Sequence, residues 1–364
     1  MATQTTSSIK IPRFGTAQVK LLERLSNACS VSGDEGEVRK IIQQELRPIV
    51  DEMRIDHLGN LLAIKRGEGE NQLRVMLAAH MDEVGFMLVH QEDREEGIFR
   101  FDMVGGVSSS HLAGQPVWIG SEHTPGVIGA KPIHLTNGEE TRNNLSVESL
   151  RIDIGPGNGG KVKVGDRAAF ATKFTRIGPS LRGKALDDRL GVATLIELIK
   201  HAPPNIDILA AFTVQEEVGL RGAKVAAYAL DPDLAIVLES TIANDLPTWD
   251  GSENIRYNSR LDAGPAIYLA DSGTLSDPRL VRHLIETAET LGIPYQFRQP
   301  GGGRTDASEI HKQRTGIPSV SISTPGRYMH TPVMIARFSD WKNTFSLVYA
   351  ALLRLTPHIL KPES

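Results

Sequence analysis

Leu21, Leu22, Leu25 and Ala28 fall on one face at helical spacing, which predicts a first amphipathic helix. A turn at Ser32 and Gly33 follows, with Asp34 as the expected N-cap of a second helix. The stripe Val38, Ile41, Ile42 and Leu46 continues that helix. The pattern then changes period. Residues 60–65 and 73–79 are short, nearly continuous apolar runs, the signature of strands in a sheet covered on both faces.

From about Gly85 the helical stripes vanish. Short β-rich runs at 86–90, 98–104, 117–119, 126–128 and 168–174 alternate with Gly/Pro turns, which predicts a small all-β insert. After Gly178 helices and strands alternate again: helices over 190–199, 222–229, 277–291 and 339–355, and strands over 208–214, 234–238, 266–269 and 318–323. The expected fold class is therefore α/β, a mostly parallel sheet flanked by helices. Residues 1–84 and 178–364 would form this domain, and 85–177 an inserted β-barrel-like domain. In such sheets, sites lie beyond the carboxyl ends of the strands.

Five places put His, Asp or Glu at such an end or in the turn that follows it. The run ending at Ala79 delivers His80-Met81-Asp82. Lys184-Ala185-Leu186-Asp187-Asp188-Arg189 immediately precedes a helix. Glu216-Glu217 follow Val214, Glu239 follows Leu238, and Arg327-Tyr328-Met329-His330 follow the run near Ser323. Any one of these alone reads as a solvated loop residue or a helix cap. Together at one sheet edge, the carboxylates would repel and hold protons unless a cation neutralised them. A pair of divalent cations does so, and an imidazole-carboxylate donor set suits zinc, cobalt or manganese better than magnesium or calcium. Tandem Glu216-Glu217 suggests one carboxylate on metal and its neighbour moving protons. Asp82 is spaced to reach the ring nitrogen of His80 that faces away from metal.

Composition narrows the setting without adding chemistry. A net charge of −4 gives no reason to expect nucleic acid or a membrane surface as partner. Cys29 stands alone, which excludes an intrachain disulfide and a thiolate-rich zinc site. The polar stretch Met1 to Lys10 lacks an apolar signal-peptide core, and no run is long enough to span a bilayer, so a cytoplasmic location is expected.

The segments Ala79-His80-Met81-Asp82-Glu83-Val84-Gly85, Leu186-Asp187-Asp188-Arg189, Gln215-Glu216-Glu217-Val218-Gly219, Gly301-Gly302-Gly303-Arg304-Thr305-Asp306-Ala307 and Arg327-Tyr328-Met329-His330 resemble the M42 (TET-type) metallo-aminopeptidases. The match runs in order from about residue 16 to 355. The resemblance implies a zinc-exopeptidase-like fold and an enzyme that removes N-terminal residues from short peptides. It implies two divalent ions per subunit, zinc or cobalt. His80 and Glu217 would be terminal ligands on one side, with Glu239 and His330 supplying others and Asp187 bridging. Glu216 would be the general base, with Asp82 and Asp188 supporting the ligands. It also implies a large homo-oligomer, a dodecamer built from dimers through the inserted domain.

Two positions depart from that pattern. Glu239 stands where the family commonly carries Asp, and its extra methylene must be absorbed by the backbone or the metal position. Arg304 interrupts a stretch of small residues. Its plain reading is a surface arginine; the sharper one has Arg304, with Asp306 nearby, lining the substrate pocket and favouring an acidic N-terminal residue. The remaining histidines lack a strand-end carboxylate partner in sequence, His111 being the weakest exclusion. Gly301 to Gly303 lack the Lys-Ser/Thr of a phosphate loop, and no Gly-x-Ser-x-Gly elbow is present. A two-metal deacylase or carboxypeptidase, or a silent assembling scaffold, is the alternative reading.

Overall fold

The computed structural model describes residues 9–69, 72–136, 145–252, 254, 259–299 and 302–361. Its centre is an 11-stranded sheet. Four strands, Ile206–Thr213, Leu73–His80, Leu234–Ile242 and Ser319–Arg327, lie side by side in that order and run parallel. Antiparallel strands extend both edges: Leu61–Lys65 and Glu52–Ile55 on one side, and Met334–Arg337, Ser180–Gly183 and Thr175–Ile177 on the other. The sheet is thus mixed, where a mostly parallel one was expected. The reason is local: the Tyr328–Val333 connection is too short for a crossover and can only return the chain antiparallel.

The apolar runs fill both faces, as strands buried on two sides must. Val75, Leu77 and Ala79 face one helical layer, while Met76 and Ala78 face the other. Ile208, Ala210 and Phe212 alternate with Leu209 and Ala211 in the same way. The first layer holds helices Thr16–Asn27, Gly36–Leu46, Leu186–Lys200, Pro278–Leu291 and Phe338–Arg354, and the second holds Arg221–Leu230 and the short Ala307–Ile310. Glu35, one residue after the expected Asp34, occupies the N-cap position of the second helix.

Six strands between Gly85 and Phe170 close into a barrel with its own core of Phe86, Leu88, Phe99, Phe101, Ile119, Ile152 and Phe170. Thr175–Ile177, inside the span expected for the insert, pairs instead with Ser180–Gly183 at the edge of the large sheet. Among the described residues, no helix is long and apolar enough to cross a membrane.

Candidate active site

The register of the parallel strands sets the site. Thr213 lies opposite His80, so the loop Val214–Gly219 leaves the sheet beside that histidine. Glu239 is still within its strand, opposite Ser323, and the Ser319–Arg327 strand runs on to His330. Asp187 and Asp188 begin helix Leu186–Lys200 with non-helical dihedrals, joined by a cis peptide bond. Ala185, Gln215, Tyr328 and His330 all hold positive φ, so three of the connecting turns carry left-handed residues that are not glycine, the last of them two.

These turns bring all five sequence-predicted metal positions together. Asp187 sits between the two histidines: its Oδ1 is 3.4 Å from His80 Nε2 and its Oδ2 is 3.5 Å from His330 Nε2. Glu239 Oε1 lies 3.3 Å from His80 Nε2, and Glu217 Oε2 lies 3.3 Å from His330 Nε2. The short contacts therefore group His80 with Glu239 and His330 with Glu217, a different grouping from the expected pairing of His80 with Glu217. Ligand atoms of His80, Asp187 and Glu217 nevertheless fall within 4.8 Å of one another, as do those of His80, Asp188 and Glu239.

Asp82 is fully buried behind this cluster. Its carboxylate accepts the Ser32 hydroxyl at 2.6 Å and the main-chain N–H groups of Glu216 and Glu217 at 3.0 and 3.1 Å. His80 Nδ1 is 3.1 Å from the Asp82 carbonyl oxygen and 3.6 Å from its Oδ1, so the backbone is the nearer partner. Beneath lies a buried ion cluster. Lys184 Nζ donates to Glu83 at 2.7 and 2.8 Å, and Arg189 Nη2 donates to Glu83 at 3.1 Å. Arg189 also binds the carbonyls of Met81 and Asp82, which fixes the segment carrying His80.

Burial dominates the electrostatics. It pushes Glu239 up to about 7 and Glu217 up to about 8, and it holds Glu216 and Asp188 well above the usual carboxylate range, each helped by neighbouring carboxylates. Asp187 goes the other way: burial would raise it, but the imidazoles of His330 and His80, one beside each of its oxygens, hold it below the usual range. His330 rises to about 9, because Asp187 and Glu217 outweigh its burial. Two imidazoles cannot neutralise this many buried carboxylates. Asp187 Oδ1 and Asp188 Oδ2 also lack a hydrogen-bond partner among the described residues. The donor set and its unspent acceptor capacity fit the binding of divalent metal.

Arg304 is exposed and lines the cleft above this cluster. Asp306 does not line it. Its buried carboxylate accepts the Thr213 hydroxyl at 2.5 Å, so it supports the floor instead of meeting a substrate. Gly301 lies outside the described residues. The cleft wall also contains Arg298, Tyr268 and Thr241, none of which the strand-end search could find, because none is a metal-type donor at a strand end. His123, set aside from sequence, meets Glu37 at 2.5 Å with Cys29 close by, a grouping of three distant segments that no local pattern announces.

A family model for M42 glutamyl aminopeptidases matches residues 59–347. A relative from Acetivibrio thermocellus, named as a candidate aminopeptidase, is 38% identical over 91% of this chain and 97% of its own. The lysyl aminopeptidase of Pyrococcus furiosus is 31% identical over 94% of this chain and 99% of its own. Among solved structures, an aminopeptidase from the archaeon Desulfurococcus kamchatkensis superposes with a TM-score of 0.88 at 32% identity, covering 95% of this chain and 97% of that one. The TET1 peptidase of Pyrococcus horikoshii, described as assembling into a tetrahedron or a large octahedral shell, gives 0.81 at 32% identity, covering 93% and 100%.

Proposed function

The chain belongs to the M42 aminopeptidase family and is a hydrolase that removes N-terminal residues from peptides; from that premise we propose a dinuclear metal mechanism with Glu216 as its base. The observation that carries it is the position of Asp187, whose two carboxylate oxygens each face a different histidine. His80 and Glu239 would hold one ion, His330 and Glu217 the other, and Asp187 both. Zinc or cobalt suits these donors.

When bound, the metal pair supplies Lewis acidity for the scissile carbonyl and acidifies water at neutral pH. The residues supply the rest. Glu216 lines the cleft beside Glu217, and its carboxylate would take a proton and return it to the departing amine. Asp82 orients this pair through their own main-chain N–H groups. Asp188 accepts the Gly191 N–H at 3.0 Å, which anchors the turn that presents Asp187. The carboxylate-rich end of the cleft favours a free α-amine.

We also infer a cytoplasmic enzyme acting on short peptides and assembling into a homo-oligomer, a dodecamer built from dimers. Exposed Ile133 and Leu135 near the barrel support an interface there. Metal analysis should return two ions per chain for wild type and fewer than one for Asp187→Ala. Free-amine aminoacyl p-nitroanilides should be cleaved and their N-acetyl counterparts left intact. Equal cleavage of the two, or one ion per active chain, would overturn the mechanism.

A further inference from the structure

Arg298 lies just after the short strand Gln296–Phe297, held to the sheet edge by its main-chain N–H to the Ile267 carbonyl at 3.0 Å. Its side chain turns into the wall of the cleft, only 6% exposed. Nη2 donates to the Gly302 carbonyl at 2.7 Å, and the guanidinium carbon sits 4.7 Å from the centre of the Tyr268 ring. Nε and Nη1 are buried without a hydrogen-bond partner among the described residues.

A guanidinium cannot shed its charge to escape such a place. Buried polar groups are almost always satisfied, and an unpaired buried cation is costly. A neutral carbonyl and an aromatic face meet only part of the need. What is missing is an anion, and the cleft is where one can enter. The cleft is also polarised: His80, Asp187, Glu216, Glu217 and Glu239 make its metal-type end, while Arg298 and Arg304 supply the basic groups of its wall. A peptide whose first residue is acidic matches both, with its α-amine toward the carboxylates and its side-chain carboxylate toward the arginines. Arg304 is the exposed member of the pair. Arg298 is the one desolvated in advance.

We propose that Arg298 is the specificity-determining residue of the cleft, receiving the side-chain carboxylate of an acidic N-terminal residue. This rests on the aminopeptidase reading and moves the acidic preference expected of Arg304 to a buried position. It also predicts that lysyl substrates are poor, because a second cation would meet Arg298 in a desolvated wall.

The experiment measures kcat/KM for glutamyl, aspartyl, leucyl and lysyl p-nitroanilides with the metal-loaded enzyme, for wild type, Arg298→Gln, Arg298→Lys and Arg304→Ala. These substrates carry no peptide carboxylate, so a charge effect reports the N-terminal side chain. Wild type should prefer the acidic substrates. Arg298→Gln should lose about 30-fold or more on glutamyl substrate while leucyl turnover holds within a few-fold. Arg298→Lys should recover part of the preference, and Arg304→Ala should retain most of it. The proposal is overturned by a wild type with no acidic preference, by equal losses on glutamyl and leucyl substrates, or by a preference that follows Arg304. Competition of free L-glutamate and L-leucine for the metal-loaded protein, read by thermal shift, separates the two readings. Arg298-dependent glutamate binding without turnover would sink the aminopeptidase reading alone. Turnover with no glutamate preference in binding or kinetics would sink the role of Arg298 alone.

Discussion

The carboxylate of Asp82 accepts the main-chain N–H of Glu216 at 3.0 Å, so a residue from one strand end sets the backbone of the tandem glutamates at the next. The same carboxylate holds the N–H of Glu217 and the hydroxyl of Ser32, and every one of its contacts requires an acceptor. Asp82→Asn puts an amide donor against at least one of these donors. Turnover should fall by about 10- to 100-fold, with KM changed much less. Metal content measured alongside should remain near that of wild type. Unchanged kcat would mean that Asp82 does not position the glutamates.

Glu216 faces the cleft with no charged donor bound to its carboxylate among the described residues, unlike Glu217, which meets His330 at 3.3 Å. Glu216→Gln keeps size and shape but removes the proton-accepting oxygen. The expected result is a loss of about 10²- to 10⁴-fold in kcat, with two metals per chain and the oligomer unchanged by mass spectrometry and light scattering. A variant that lost metal together with activity would make Glu216 a ligand instead of the base.

Much of this site was legible because its chemistry sits where apolar strands stop. His80, Glu216, Glu217 and Glu239 each follow a run whose burial is written in its own residues, and the parallel register then stacks those ends. What the pattern could not supply was orientation. The short antiparallel strands Ser180–Gly183 and Met334–Arg337 carry too few residues to register as strands in the pattern, so the sheet read as more parallel than it is. Pairing between ligands was equally hidden, because it depends on rotamers at positions far apart in sequence. Arg298 was invisible for another reason: its significance lies in the partners its side chain lacks, which only the folded wall reveals.

Glu83 sits between two buried cations, Lys184 and Arg189, and also accepts the Ser30 N–H at 3.0 Å. Glu83→Gln would leave both cations buried without a counter-charge, at an expected cost of about 3–5 kcal/mol. Thermal unfolding should show a clear fall in midpoint. The double variant Glu83→Gln with Lys184→Met removes one of the stranded charges and should recover part of that loss. Simple additivity of the two single effects would show that the three groups do not act as a unit.

Asp277 caps helix Pro278–Leu291, accepting the Arg279 N–H at 2.9 Å and pairing with its guanidinium at 2.7 Å. Burial alone would raise its pKa, but the side-chain and main-chain donors of Arg279 outweigh it and hold the carboxyl below its ordinary value. A depressed folded-state pKa means that the unfolded chain takes up the proton first as pH falls. The stabilisation is therefore fully present above the unfolded value of about 3.9 and is lost as pH drops through the lower folded value. Asp277→Ala should cost about 1 kcal/mol at pH 7, measured by urea unfolding of the same oligomeric form. The gap between variant and wild type should close in strongly acidic solution. A difference that persists undiminished there would mean that the cap acts through packing and not through its charge.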